Sequence, residues 1–307
     1  LSSAWLYYMV TLLPVSGLIK VGSFAAADRY TYLPSIGPFL LVGTGTAVLI
    51  CNVAHKSRKP LLLGLLATGF CILSVGTIKQ ISIWRDSITL WNHQIKFYPV
   101  SYVFSKRGYA HYSLGNYSAA IIDQSRAIEM DPYDAHAYYN RGNAHYALGN
   151  LQQAEKDLTR AAQIDVKYAL AYFNLGITHS RMGLYQRAVE DYTKAIELDR
   201  HDAFSYNNLG LIYFELKEYV KAEEVLTRAI ALDHENSNFY FNRGMVYRDA
   251  GEYHKAVSDF RRTVELNPGD AMAYNNLGEI HLQTGKKELG VFYKEKAADL
   301  GFKENSR

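Results

Sequence analysis

The sequence predicts an all-α fold in which transmembrane helices are followed by an α-solenoid superhelix, and three observations carry that expectation. Residues 101–304 repeat with a period of 34 and no insertion. Residues 35–54 and 61–78 are long apolar stretches without a charge. The charge divides with them: residues 1–79 hold six bases (Lys20, Arg29, Lys56, Arg58, Lys59 and Lys79) against one acid, Asp28, whereas the remainder holds 27 bases against 29 acids. At 307 residues, with 49% hydrophobic, 13% aromatic and 21% charged side chains, the chain has room for two ordered units of unlike character. Its net charge of +3 describes neither of them. The larger part is faintly acidic and has no Lys/Arg stripe to neutralise phosphates, so no nucleic-acid partner is expected.

The membrane part is taken as residues 1–79. Residues 61–78 (LLLGLLATGFCILSVGTI) and 35–54 (SIGPFLLVGTGTAVLICNVA) each suffice, at about 1.5 Å per residue, to cross a hydrocarbon core of about 30 Å. Residues 1–19 form a third uncharged stretch, with Pro14, Tyr7 and Tyr8 but no basic leader, and are read as a further helix of a larger bundle and not as a signal peptide. Lys56, Arg58 and Lys59 lie in the short loop between the two long spans, which the positive-inside rule places in the cytoplasm. The helix from residue 61 then runs outward. Everything from Lys79 onward, and the loop 20–34, is expected on the extracytoplasmic side, periplasmic or lumenal. Membrane lipid is therefore an expected partner. Cys51 and Cys71 both fall inside the spans and read as small packing residues, so no disulfide framework is expected.

The repeat units are 101–134, 135–168, 169–202, 203–236, 237–270 and 271–304. Position 8 is always glycine: Gly108, Gly142, Gly176, Gly210, Gly244 and Gly278. Position 20 is Ala120, Ala154, Ala188, Ala222, Ala256 and then Gly290, and position 4 is aromatic throughout. These are the marks of tetratricopeptide repeats, in which small residues let two antiparallel helices approach and large ones at 4, 11 and 24 fill the gap to the next pair. Gly115-Asn116, Gly149-Asn150, Gly183-Leu184 and Gly251-Glu252 mark turns within pairs; Asp131-Pro132 and Asn267-Pro268 mark turns between them. Residues 80–100 read as a connecting and capping helix, with Trp84, Leu90, Trp91 and Ile95 on one side.

No HExxH, GxSxG, CxxC or GxGxxG pattern occurs, so a self-sufficient catalytic site is not expected in this chain, nor a cofactor. The histidines at position 11 (His111, His145, His179 and His281) recur like ligands, but the position packs between helices and no metal site is read from them. Position 6 stands out: Asn140, Asn174, Asn208, Asn242 and Asn276, with Lys106 in the first unit. Each should face the inner wall. A row of side chains that both donate and accept suits the backbone of an extended polypeptide, which makes a protein or peptide the expected ligand. The other reading is that each asparagine bonds within its own repeat. Tyr102, Tyr139, Phe173, Phe204, Phe214 and Phe241 are expected to add aromatic area to the groove or to pack beneath it.

In its Asn-Leu-Gly and Asn-Arg-Gly triplets the array resembles the repeat domain of the O-linked N-acetylglucosamine transferases, whose inner asparagines hold peptides. Residues 27–37 (ADRYTYLPSIG), with Val21 and Gly22 before them, resemble the last conserved membrane loop of the transmembrane and tetratricopeptide-repeat proteins, a C-type glycosyltransferase family. That resemblance implies protein O-mannosylation from a polyprenyl-phosphate sugar on the extracytoplasmic side. The family's catalytic acids lie in an earlier loop, so no catalytic residue can be named here. Arg29 is a candidate contact for the lipid-linked phosphate, because a planar guanidinium suits phosphate oxygens; its alternative role is to pair with Asp28 at the interface. The alternative for the whole is a non-enzymatic, membrane-tethered scaffold that assembles proteins through the same groove.

Overall fold

The computed structural model describes residues 86–303, together with Thr68 and Ile83. The expected spans at 1–19, 35–54 and 61–78 (Thr68 apart) and Arg29 lie outside the described residues. No helix among the described residues is long and apolar enough to cross a membrane.

Thirteen helices and no strand make up residues 86–303. α1 (Ser87–Phe97) precedes six pairs: α2 (Ser101–Ser113) with α3 (Tyr117–Met130), α4 (Ala135–Ala147) with α5 (Leu151–Ile164), and α6 (Ala169–Arg181) with α7 (Tyr185–Leu198). The series continues with α8 (Ala203–Glu215) and α9 (Tyr219–Leu232), α10 (Ser237–Asp249) and α11 (Tyr253–Leu266), and α12 (Ala271–Gln283) and α13 (Lys287–Asp299). Each helix packs on its neighbours in the chain, and the first helices of successive pairs also approach one another, which makes them the inner wall of a solenoid.

Local chemistry sets the boundaries. The Asp86 carboxylate accepts from the Thr89 amide at 2.8 Å and opens α1 with a capping box. Asp134, Asp202, Asn236 and Asp270 cap four of the first helices through their side chains. Three residues before each of these caps, Asp131, Asp199, Asp233 and Asn267 accept the amide two residues on at 3.0–3.3 Å and turn the chain between pairs. Within each pair the turn passes through a left-handed residue at position 15. In five pairs this is glycine; in the fourth it is Lys217, at φ 60°.

The glycines at position 8 are needed for close approach. A Cβ on Gly210 would lie 2.5 Å from Leu226 Cγ, and one on Gly176 2.7 Å from Tyr192 Cε1. Position 24 thus fills the space against the glycine of its own pair, which differs from the expected role of spacing one pair from the next. The alanines at position 20, from Ala120 to Ala256, are buried in the same seam.

Three repeats carry an ion pair at positions 7 and 23. Arg107, Arg141 and Arg243 each donate Nε and Nη2 to the carboxylates of Asp123, Asp157 and Asp259, at 2.6–2.9 Å. The aspartates are 3–5% exposed, so these are buried bidentate pairs. α1 closes the first repeat: Leu90 is buried, Trp91 meets Tyr102 edge-on at 6.3 Å, and Asn92 accepts Arg107 Nη1 at 2.7 Å.

Candidate functional site: the inner wall of the solenoid

The inner wall is built from residues three or four apart on the first helices, which share one face of a helix. Position 2 forms an exposed row: Tyr102 is 46% exposed, Leu170 53%, Phe204 56% and Met272 56%, and the row is completed by exposed His136 and Asn238. Phe204 is steadied by an edge-on contact with Phe239 at 5.7 Å, so it offers a large apolar face already held in place. Lys106 is exposed and lies 5.1 Å from the centre of the Tyr102 ring.

The asparagines of position 6 lace the first helices together. Asn174 Nδ2 donates to Tyr139 Oη at 3.1 Å and to Asn143 Oδ1 at 2.7 Å, both in the preceding repeat. Asn242 Nδ2 donates to Asn207 Oδ1 at 2.8 Å, and Asn207 Nδ2 in turn to Asn208 Oδ1 at 3.2 Å. The bonds of Asn174 and Asn242 run sideways, from repeat to repeat, whereas Asn208 is bonded by its neighbour Asn207 within its own repeat. The side-chain carbonyls of Asn174 and Asn242 have no hydrogen-bond partner among the described residues, and the same holds for the whole side chain of half-buried Asn140. Asn276 is different. It is 4% exposed, donates to Met272 O at 2.8 Å, and accepts a short hydrogen bond from Arg248, so it is packed into the last pair and not displayed.

The aromatic residues expected in the groove divide in the same way. Phe173 meets Tyr192 edge-on at 5.9 Å and Phe241 meets Phe260 at 5.6 Å. Both are half-buried supports under the wall. Tyr139 is half-buried against Tyr168, at 5.0 Å between ring centres, and keeps its hydroxyl for Asn174. Burial pushes the Tyr168 and Tyr192 hydroxyls well above the ordinary tyrosine range, so both stay protonated donors. Phe214, tilted on Tyr219 at 6.2 Å, is also half-buried.

Sequence reasoning did not single out Leu170 and Met272 on the exposed row, nor Asn143, Asn207 and Arg248 as lateral partners. Of these, Asn207 carried a signal in its doublet with Asn208, which sets a second amide beside position 6.

Position 11 lies behind the wall. His179 Nδ1 is 2.5 Å from Asp191 Oδ2 and Nε2 is 3.1 Å from Glu155 Oε1, which also accepts from Arg187 at 3.0 Å. The hydrogen bond to Asp191 raises the His179 pKa, with Glu155 adding to it against the burial penalty. In the fifth repeat Tyr247 takes the place of this histidine, donates to Glu223 at 2.7 Å, and is pushed up to about 12 by burial and that carboxylate. In the third and fifth repeats the position thus ties the first helix to the second helix of the preceding repeat.

Comparison with known proteins agrees with this geometry. Models of the tetratricopeptide repeat match residues 135–168, 169–202 and 203–236, and again 241–299; a further repeat model matches 108–149. The chain is 31% identical over 135 residues to Protein O-mannosyl-transferase Tmtc2 of Drosophila melanogaster, a match covering 44% of this chain and 14% of that protein. To Protein O-mannosyl-transferase Tmtc1 of the same fly it is 30% identical over 136 residues, covering 44% and 16%. The matched part is therefore a small fraction of those relatives' length. Among solved structures, YrrB, described as a TPR protein with an unusual peptide-binding site, superposes with a TM-score of 0.51 at 26% identity, covering 58% of this chain and 92% of that one. With the family models and the helix pairs in the same register, this chain belongs to the tetratricopeptide-repeat proteins.

Proposed function

We propose that the inner wall binds an extended polypeptide, and that it does so as the acceptor-binding part of a membrane protein O-mannosyl-transferase. On this reading residues 1–79 are the last helices of the membrane part, the solenoid lies on the extracytoplasmic side, and the donor is a polyprenyl-phosphate sugar held elsewhere in the protein. The observation that carries it is the pairing on one wall of an exposed apolar row, Tyr102, Leu170, Phe204 and Met272, with asparagine groups that still have hydrogen-bonding capacity. The row supplies contact area; the amides suit a peptide backbone, giving affinity with little sequence selectivity. The similarity to two O-mannosyl-transferases favours the acceptor role over a scaffold role.

The test is fluorescence anisotropy of a labelled, unstructured Ser/Thr-rich peptide titrated with the full chain. Phe204→Ala together with Asn140→Ala is expected to weaken binding about tenfold or more, since a buried aromatic contact and a hydrogen bond each contribute about 1 kcal/mol. Asn140 holds no repeats together and Phe204 makes one edge-on contact with Phe239 of the next repeat, so the melting temperature is expected to fall by only a few degrees, with the chain still folded at the temperature of the titration. Equal affinity in the double variant would remove the wall as the binding site.

A further inference from the structure

A cleft of about 700 Å³ lies beside the fifth and sixth repeats and includes none of the position-6 asparagines. Four permanent cations, Arg243, Arg261, Arg262 and Lys286, line it against two carboxylates, Asp259 and Glu265. Both carboxylates are already engaged: Asp259 accepts two bonds from Arg243 at 2.7 and 2.9 Å, and Glu265 accepts from Arg262 at 3.1 Å. Arg261 and Lys286 have no ion pair among the described residues.

Arg261 also breaks the pattern of the array. At its position the first four repeats have Ser125, Thr159, Thr193 and Thr227. The hydroxyls of Ser125 and Thr227 accept from Nη1 of the next repeat's position-7 arginine, Arg141 and Arg243, at 3.1 and 3.0 Å. In the sixth repeat position 7 is Leu277, so a hydroxyl in the fifth would have no such arginine to meet. The chain has a guanidinium there instead, exposed at the cleft.

The third element is His281. It lines the same cleft, is 3% exposed, stacks on Tyr293 at 5.5 Å with 11° between the planes, and neither ring nitrogen has a hydrogen-bond partner. Burial, then Lys286 and Arg261, hold its pKa below the ordinary histidine value. The unpartnered buried nitrogens of His281 are costly, while Arg261 and Lys286 are exposed donors at the same cleft; an oxyanion there takes donors from the guanidinium and the ammonium and a third from the one imidazole N–H.

We propose that this cleft binds a phosphate-class oxyanion, with Arg261 and Lys286 as its charged donors and His281 as the third. The site is separate from the peptide-binding wall, and its test does not depend on that reading. Isothermal titration of the full chain with inorganic phosphate, and in parallel with phenyl phosphate, at an ionic strength held constant with chloride, should give saturable binding below about 10 mM. Tighter binding of phenyl phosphate would identify the natural ligand as a phosphoryl group on a larger molecule; tighter binding of inorganic phosphate would identify the free ion. Arg261→Thr restores the residue of three other repeats and should weaken binding at least tenfold without moving the thermal melt. His281→Tyr, the residue of the fourth and fifth repeats at that position, should weaken it too. Absence of saturation in the parent chain, or equal binding by R261T, overturns the proposal.

Discussion

Arg243 and Asp259 show how a single position depends on its partner. In the fourth repeat the same two places hold Leu209 and Val225, so the fold accepts either a bidentate ion pair or an apolar pair. Breaking a buried pair leaves one charge unsatisfied, at a cost of about 3–5 kcal/mol, whereas exchanging both partners for apolar residues is close to neutral. Asp259→Val alone is therefore expected to lower the unfolding free energy in denaturant melts severely, and Arg243→Leu with Asp259→Val to recover most of the loss. Equal destabilisation by the single and double variants would contradict this. His179 makes a second prediction at the same scale. Its pKa is raised in the folded chain by the hydrogen bond to Asp191 and then by Glu155, so the protonated ring is favoured by folding. That stabilisation is fully present below the unfolded value of about 6.5 and is lost as pH rises through the higher folded value. The difference in denaturant midpoint between the parent chain and His179→Tyr should then shrink from acid pH toward alkaline pH. A difference that stays flat across that range would show that the ring is not charged in the fold. The ion pairs could have been read from the sequence, because Arg at position 7 recurs with Asp at position 23. The sandwich of His179 could not, because Glu155 belongs to the preceding repeat and reaches the ring only through stacking.

Among the elements, the helix pairs were the most legible. Glycine at position 8 and alanine at position 20 leave room for only one kind of close antiparallel contact, and turn residues fall where the helices end. The fourth pair is the exception that tests the turn. Lys217 adopts the left-handed backbone that five glycines adopt elsewhere, at φ 60°, which costs a residue with a Cβ about 1 kcal/mol. Lys217→Gly should therefore raise the unfolding free energy by several tenths to about 1 kcal/mol, less the entropy that glycine loses on folding. A fall in stability would show that the lysine side chain contributes more than its backbone strain. The inner wall was legible only in outline. The row at position 6 was visible as a pattern, but not that Asn174 and Asn242 would turn sideways to the preceding repeat, nor that Asn276 would be packed away. Those outcomes depend on whether a lateral acceptor, Asn143 or Asn207, stands within reach on the neighbouring helix.

For the whole molecule, the membrane topology is the expectation on which the proposed role turns. Cysteine placed at Asn150, in the exposed turn between α4 and α5, and in a second variant at Arg58 should separate the two sides of a membrane when intact cells meet an impermeant thiol reagent. Labelling at 150 and not at 58 is expected; the reverse would put the solenoid in the cytoplasm and end the acceptor-capture role. What the sequence by itself determined was the repeat: its period, its helix pairs, its turns and the family to which it belongs. These follow from short-range rules, since small residues at fixed spacing and glycine or Asx at turns constrain the chain within one unit of 34 residues. What only the tertiary structure decided is which polar groups remain available after the repeats stack. The lateral bonds of Asn174, His179 and Asn242 are set by residues 24 to 35 positions apart meeting across an interface. No spacing within one repeat records those meetings, because each is fixed by the residue that the neighbouring repeat happens to present.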